Sequence, residues 1–450
     1  MNDFTIGKIF AILVVCNSTL SIVFFSKFKI YRLLNPFVTG HFVLISIFGL
    51  RPLFMRYPND FRFYGLDSVT GFNKATATGV IASLMLSLGF FISKNNLKLK
   101  VTSLNGSALQ ILRRSRSISW AIMLLWVSFM VFFGGFSVLS LLLKGRSDEL
   151  NARFKGVPIL LQALPAASFI IFSSSLIILL RVQKLKVSYY FELIILFFLT
   201  ASPSAFLGDR RIIVPMAICL MLVFFYRHKD LSLGFVSLFF FFIATTVLTI
   251  YPYVRSSGAR QGVNLATATF RFLKDNGIVE VFRGYLVKND TEMFNFVSFL
   301  IPRLGVDFQY GYGRGTFIDL FRESLPSFLE LSHTWSDKLL TSMFGEGCAA
   351  GLCPVPSLVG VLLYDYGIIG VGIGFLLVGI LVRRFEANID YATNFKLIFA
   401  ITMGCYGPVI VRGSSIAMIW IALNVSLVGF VAHKYIFHNN FIRTVEVENP

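Results

Sequence analysis

With 450 residues, of which 56% are hydrophobic and only 14% charged, the chain cannot be a water-soluble globule built around one core. Its 50 phenylalanines would leave large apolar patches on a water-facing surface, whereas lipid accommodates them. A formal net charge of +18 would suggest nucleic acid in a soluble protein. Here the basic residues fall between apolar runs, where they act as topology signals and contacts for anionic lipid-like ligands, so no nucleic-acid partner is expected.

Crossing about 30 Å of hydrocarbon takes roughly 20 apolar residues as helix, and about eleven such runs follow one another. In chain order they are Ile6 to Phe25, Pro36 to Leu53, Ala75 to Ser93, Ile118 to Leu143, Pro158 to Leu180, Tyr189 to Leu207, Ile212 to Tyr226, Leu231 to Tyr253, Ser357 to Val382, Phe395 to Val411 and Ser415 to Lys434. The pattern predicts an all-α polytopic integral membrane protein. Its expected divisions are an N-terminal membrane domain of about eight helices over 1–253, a loop domain over 254–356, C-terminal membrane helices over 357–435 and a tail over 436–450. Asp365 and Gly367 interrupt the ninth run, which therefore reads either as one helix or as a short surface helix that breaks before a crossing from Ile368.

No cleavable signal peptide is read at the start, because Met1 to Thr5 lacks a basic stretch. Orientation follows from the short basic connections, since Lys and Arg near helix ends are retained in the cytoplasm. Lys27, Lys29 and Arg32, then Lys98 to Arg116, Arg181 to Lys186, and Arg227 to Lys229 recur on alternate connections. With these inside, the N-terminus and the 254–356 loop face the periplasm of a bacterial inner membrane, and the C-terminus is cytoplasmic. The opposite connections also carry charge, at Arg51, Arg56, Arg62, Arg146 and Arg153 among others, but there Arg predominates over Lys. A guanidinium matches phosphate or carboxylate with two parallel donors, so an Arg-rich outer face suits a diphosphate or an acidic sugar. Snorkelling to lipid phosphates is the plainer account of any single one.

Gly208-Asp209-Arg210-Arg211 joins two apolar runs with almost no loop. Ionisable groups there need a partner. Either Arg210 and Arg211 clamp a lipid diphosphate, or the turn is a tight hairpin in which Asp209 neutralises Arg210. Arg412, before Gly413 and Ser414, occupies a comparable turn near the C-terminus. The loop of about a hundred residues is far longer than an ordinary connection, which marks it as functional. It supplies Arg255, Arg260 and Arg314, and Tyr310, Tyr312 and Trp335, whose rings either stack on sugars or anchor at the interface. Gly311-Tyr312-Gly313-Arg314-Gly315 lacks the βαβ frame of a nucleotide fingerprint.

The loop has no Asp-x-Asp pair, and His333 lacks metal-ligand spacing, so neither a metal nor another cofactor is expected. Glu346 and Asp307 are the candidate catalytic carboxylates, provided burial tunes one of them. Cys348 and Cys353 would face an oxidising compartment and form a disulfide if their geometry allows.

Taken together, the Arg-bearing turn at Gly208 to Arg211, the large loop in the second half, the Gly-rich helix Ser357-Leu358-Val359-Gly360 with Tyr364-Asp365-Tyr366-Gly367-Ile368-Ile369-Gly370, and the turn Val411-Arg412-Gly413-Ser414 resemble Wzy-type O-antigen polymerases and the related O-antigen ligases. That resemblance implies a GT-C-like glycosyltransferase in which undecaprenyl-diphosphate-linked oligosaccharide is the donor and a second lipid-linked repeat unit the acceptor. It also implies membrane lipids and a chain-length regulator protein as partners. Arg210, Arg211, Arg255, Arg260, Arg314 and Arg412 would stabilise the departing diphosphate without a metal. A ligase would share fold and donor and is usually marked by a loop histidine, here only His333. A Wzx-type flippase would show repeated halves and short loops, which this chain lacks.

Overall fold

The computed structural model describes residues 3–26, 35–57, 59–63, 66–93, 105–134, 159–181, 184–207, 210–226, 274, 293–319, 356–413 and 415–436. Its helices are α1 (Asp3–Ser26), α2 (Pro36–Leu44, continued by a wide turn over Ile45–Leu50 and by Arg51–Phe54), α3 (Phe72–Ile92), α4 (Asn105–Gly134), α5 (Ile159–Leu180), α6 (Val187–Leu207), α7 (Arg210–Tyr226), α8 (Met293–Leu300), α9 (Leu358–Tyr391), α10 (Phe395–Arg412) and α11 (Ser415–Ile436). A two-residue antiparallel ladder, β1 (Arg62–Phe63) with β2 (Leu66–Asp67), closes the α2–α3 connection. Seven of the described helices are long and apolar enough to cross a membrane, and Val187–Ala201 and Ile213–Tyr226 are shorter apolar stretches. The chain is an all-α multi-pass membrane protein. The expected run Leu231 to Tyr253 lies outside the described residues.

Lipid explains why these helices are apolar all round and place hydroxyls inward. In α1 the exposed side chains include Ile12, Leu20 and Phe24, while Ser18 and Ser21 are buried. α5 is the most enclosed of the seven candidate spans, with 94% of its Ala163–Leu180 stretch buried, and it sits against α4, α6, α7, α10 and α11. Ser173 and Ser174 return their hydroxyls to their own helix, to Phe169 O and Ile170 O at 2.8 and 2.7 Å, while Ser168 donates to Ser119 O of α4 at 2.8 Å.

Two cores result. One gathers α1, α2, α3, α8, most of α9 and Val411 at the end of α10; the other gathers α4, α5, α6, α7, α11 and the rest of α10. α3 and α9 run parallel with their backbones almost touching: a Cβ on Gly89 would lie 2.1 Å from Leu376 O, and one on Gly379 would lie 2.4 Å from Leu86 O. Glycine is required at both positions, since only a bare backbone allows this approach.

Two stretches differ from the sequence expectation. The basic segment expected as a connection before Ile118 is instead helical from Asn105, because Arg116 Nε reaches Glu192 Oε1 of α6 at 2.7 Å and Trp120 Nε1 donates to the same oxygen at 2.6 Å. Within the 254–356 loop, α8 is buried at all eight of its residues, with Phe294 against Phe48 and Phe72. Eight residues span only about 12 Å, so α8 enters the bundle without crossing it. Ser298 Oγ donates to Ser68 O at 2.6 Å and Asn295 Nδ2 to Asp60 O at 3.0 Å, which ties the loop to the α2–α3 connection.

Candidate functional site

α9 holds the key irregularity. At 34 residues it measures about 51 Å, well beyond the hydrocarbon thickness, and at Gly367 its backbone leaves the helix (φ 65°, ψ −161°). The break expected before Ile368 is observed, and the part after it is long enough to cross alone, but the part before it, from Leu358 to Asp365, is buried and is not the expected surface helix. A helix interrupted there leaves the carbonyls of its preceding turn without their usual partners. The segment after α8 supplies them: Gly311 N–H donates to Tyr364 O at 3.0 Å and Tyr312 N–H to Asp365 O at 3.1 Å.

The approach is close enough to demand glycine at 311, where a Cβ would lie 2.2 Å from both Asp365 Oδ1 and the Tyr364 ring. The chain then reverses through two left-handed residues, Tyr312 (φ 48°) and Gly313 (φ 89°). A wide helical turn over Arg314–Ile318 follows, and its first amide groups have no partner within it. The Asp365 carboxylate takes both. Gly315 N–H donates to Oδ1 at 3.0 Å and Thr316 N–H to Oδ2 at 2.7 Å. Asp365 is fully buried, so these two charge-assisted bonds are what make an acid tenable at that place. Tyr366 adds a third link, its hydroxyl 3.1 Å from Thr316 Oγ1.

The outward side of this turn carries Arg314, Tyr312 and Phe317 exposed, with Tyr312 80% accessible. The Tyr310 and Tyr312 ring centroids are 6.3 Å apart. One turn earlier, the Arg303 guanidinium lies 3.8 Å over the Phe299 ring, and its Nε is 3.8 Å from Asp307 Oδ2. Asp307 is 57% exposed there, so the burial its proposed role as a base calls for is not met in this arrangement. Together these groups present guanidinium, hydroxyl and aromatic surface on a rigid frame at the edge of the bundle. Such a surface suits an anionic, hydroxyl-rich ligand.

The remaining expected arginines can be placed by face. Arg181, at the end of α5, donates to Ala392 O at 2.7 Å and to Ile389 O at the end of α9, and to the Tyr226 hydroxyl at the end of α7 at 3.3 Å. Three helix ends are thus gathered on one side. Arg210 and Arg211 open α7, and Arg412 closes α10, which returns from that side. They therefore share the opposite face with the Arg314 turn. Arg210 and Arg211 are the first residues of α7, a helix of the second core, and their side chains are not among those described. Arg412 is half-buried beside Val411, which packs in the first core. Arg255, Arg260, Trp335, Glu346, Cys348 and Cys353 lie outside the described residues, as does His333.

Thus Tyr310, Tyr312 and Arg314 are brought together, and Asp365 is the residue that sequence reasoning missed as part of the site. Its signal was present, because an acid inside an apolar run requires a partner. Among the described residues no three His, Cys, Asp or Glu side chains are grouped to hold a metal. No protein-family model, no curated protein and no solved structure matches this chain.

Proposed function

We propose that this protein is a glycosyltransferase of the inner membrane that polymerises lipid-linked oligosaccharide repeat units in the periplasm, in the manner of Wzy-type O-antigen polymerases. The observation that carries this reading is the Arg314 turn, held on the broken helix α9 and sharing a face with Arg210, Arg211 and Arg412. Eleven crossings, an outer N-terminus and a cytoplasmic C-terminus are part of the proposal. So is a periplasmic loop over 254–356.

In the reaction, a hydroxyl of the acceptor repeat unit attacks the anomeric carbon of the donor. The new glycosidic C–O bond forms as the bond to undecaprenyl diphosphate breaks, and the hydroxyl proton passes to a base. Negative charge grows on the departing diphosphate, where fixed guanidinium donors are most effective. Arg314 is the best-placed candidate for that task, with Arg210, Arg211, Arg255, Arg260 and Arg412 as the others. Tyr310, Tyr312 and Trp335 would bear on the sugars. Membrane lipid surrounds the polyprenyl tail, and a chain-length regulator protein is the expected partner.

Deletion of the gene in a host that assembles this glycan tests the proposal by lipopolysaccharide electrophoresis. The expected pattern is core plus a single repeat unit, with the ladder restored by wild type and not by Arg314→Ala or Arg210→Ala at equal expression. Loss of even the single unit, with long lipid-linked chains accumulating, would make the protein a ligase. Unpolymerised units held on the cytoplasmic side would make it a flippase.

A further inference from the structure

We propose that Asp365 is the positioning residue of this site: its buried carboxylate clamps the Gly315–Thr316 turn so that Arg314 is presented in one fixed place to the diphosphate of a polyprenyl-linked ligand. The inference rests on the polymerase reading for the identity of the ligand, and on geometry alone for the clamp.

Four observations carry the argument. Both carboxylate oxygens of Asp365 are used, one on Gly315 N–H and one on Thr316 N–H, so the pair defines the orientation of the turn and not merely its location. The same residue's main-chain carbonyl receives Tyr312 N–H at 3.1 Å, which fixes the chain on the other side of Arg314. Arg314 itself is exposed while Asp365 is fully buried, so the acid acts behind the turn and not on the ligand. Finally, the Tyr366 hydroxyl lies 3.1 Å from Thr316 Oγ1 on the accessible side, so two consecutive residues just before the Gly367 break hold the turn from within and at its rim.

An arginine on a free loop loses side-chain and backbone freedom each time it meets an anion, and a preorganised one does not. Replacing one carboxylate oxygen by an amide NH2 would set a donor against a donor and release one of the two amides. Asp365→Asn should therefore free the turn without changing the volume of the buried side chain.

The test uses the full-length protein purified in detergent, with two readouts. Trypsin cleavage of the Arg314–Gly315 bond, followed by peptide mass spectrometry, reports whether the turn is clamped, because proteolysis requires a locally opened chain. Retention of radiolabelled undecaprenyl diphosphate by the immobilised protein reports ligand affinity. Asp365→Asn is expected to raise the cleavage rate at that bond and to weaken retention by about tenfold, and Arg314→Ala by at least as much. The double variant should lose no more than Arg314→Ala alone, since Asp365 acts through Arg314.

Thr316→Pro removes one of the two N–H donors from outside the helix and covers the case in which Asp365→Asn does not fold, with Thr316→Val, which keeps the N–H, as its control. Thr316→Pro should repeat the Asp365→Asn behaviour, whereas Thr316→Val, which loses only the rim bond to Tyr366, should raise cleavage much less. An unchanged cleavage rate in Asp365→Asn would overturn the clamp. Raised cleavage with unchanged retention, or a double variant with additive losses, would overturn the positioning role. Retention left intact by Arg314→Ala would instead overturn the diphosphate reading of this turn, while the cleavage result would still stand for the clamp.

Discussion

The bundle buries polar groups in two different ways, and the contrast separates a fastening from a site. In the wall formed by α1, α2 and α3, the fully buried His41 meets Ser18 Oγ through Nδ1 at 2.9 Å and Ser87 Oγ through Nε2 at 3.2 Å, and Ser87 Oγ lies 2.8 Å from Ser21 Oγ. Each partner is a side chain on a neighbouring helix, and the network closes on itself. At the α9 break, Asp365 instead spends its charge on backbone amides of a segment about fifty residues earlier. The product is a turn with Arg314 and Tyr312 outside. The closed network exposes nothing and joins helices; the open one joins a loop and leaves donors facing outward.

Three substitutions break or sharpen this contrast. The largest effect is expected where the wall is thinnest. Gly89→Leu would drive a side chain into the Leu376 carbonyl, 2.1 Å from the would-be Cβ, and separate α3 from α9. A cost of about 4 kcal/mol or more is expected, at the upper end of overpacking. Folded protein in detergent, followed by fluorescence-detected size-exclusion chromatography, should be largely lost.

His41→Leu is expected to cost only about 1 kcal/mol. Ser87 keeps its bond to Ser83 O at 2.9 Å, and the lost imidazole is replaced by a side chain that packs in the same apolar wall. A small fall in thermal midpoint with the lipopolysaccharide ladder retained would mark the network as a fastening. Loss of the ladder at an unchanged midpoint would give it a functional part and erase the distinction drawn here.

The smallest effect should have the opposite sign. Tyr312 holds a left-handed φ of 48° that costs an ordinary residue roughly 1 kcal/mol. Tyr312→Gly relieves that strain, so the turn should resist trypsin somewhat better than wild type. If the ladder weakens even so, the exposed ring at 312 serves the ligand and not the turn.

Much of the architecture was legible because lipid imposes a length and a polarity on each crossing. Pro36 to Leu53, Phe395 to Val411 and Ser415 to Lys434 lie along observed helices of nearly the same extent. Asp365 and Gly367 announced the interruption of α9 for the same reason, as an acid and a flexible residue in an apolar run. Segments shorter than a crossing escaped that reasoning. Met293–Leu300 is too short to register as a span and sits inside a stretch read as one outer loop, yet all eight residues are buried. The start of α4 reads in sequence as a basic connection because its arginines obey the topology rule, and nothing local to it reveals that Glu192 of α6 awaits Arg116.

By itself, then, the sequence determined what solvent surrounds this protein, which runs are long enough to cross it and where a polar residue would need help, because those follow from hydropathy, length and the cost of an unpaired charge in lipid. Only the tertiary structure decided who gives that help. The amides of Gly315 and Thr316 carry no signature in their side chains, and they meet Asp365 because α8 enters the bundle and returns the chain across the break in α9. The pairing of a buried charge with backbone depends on where the chain passes and not on which residues it contains.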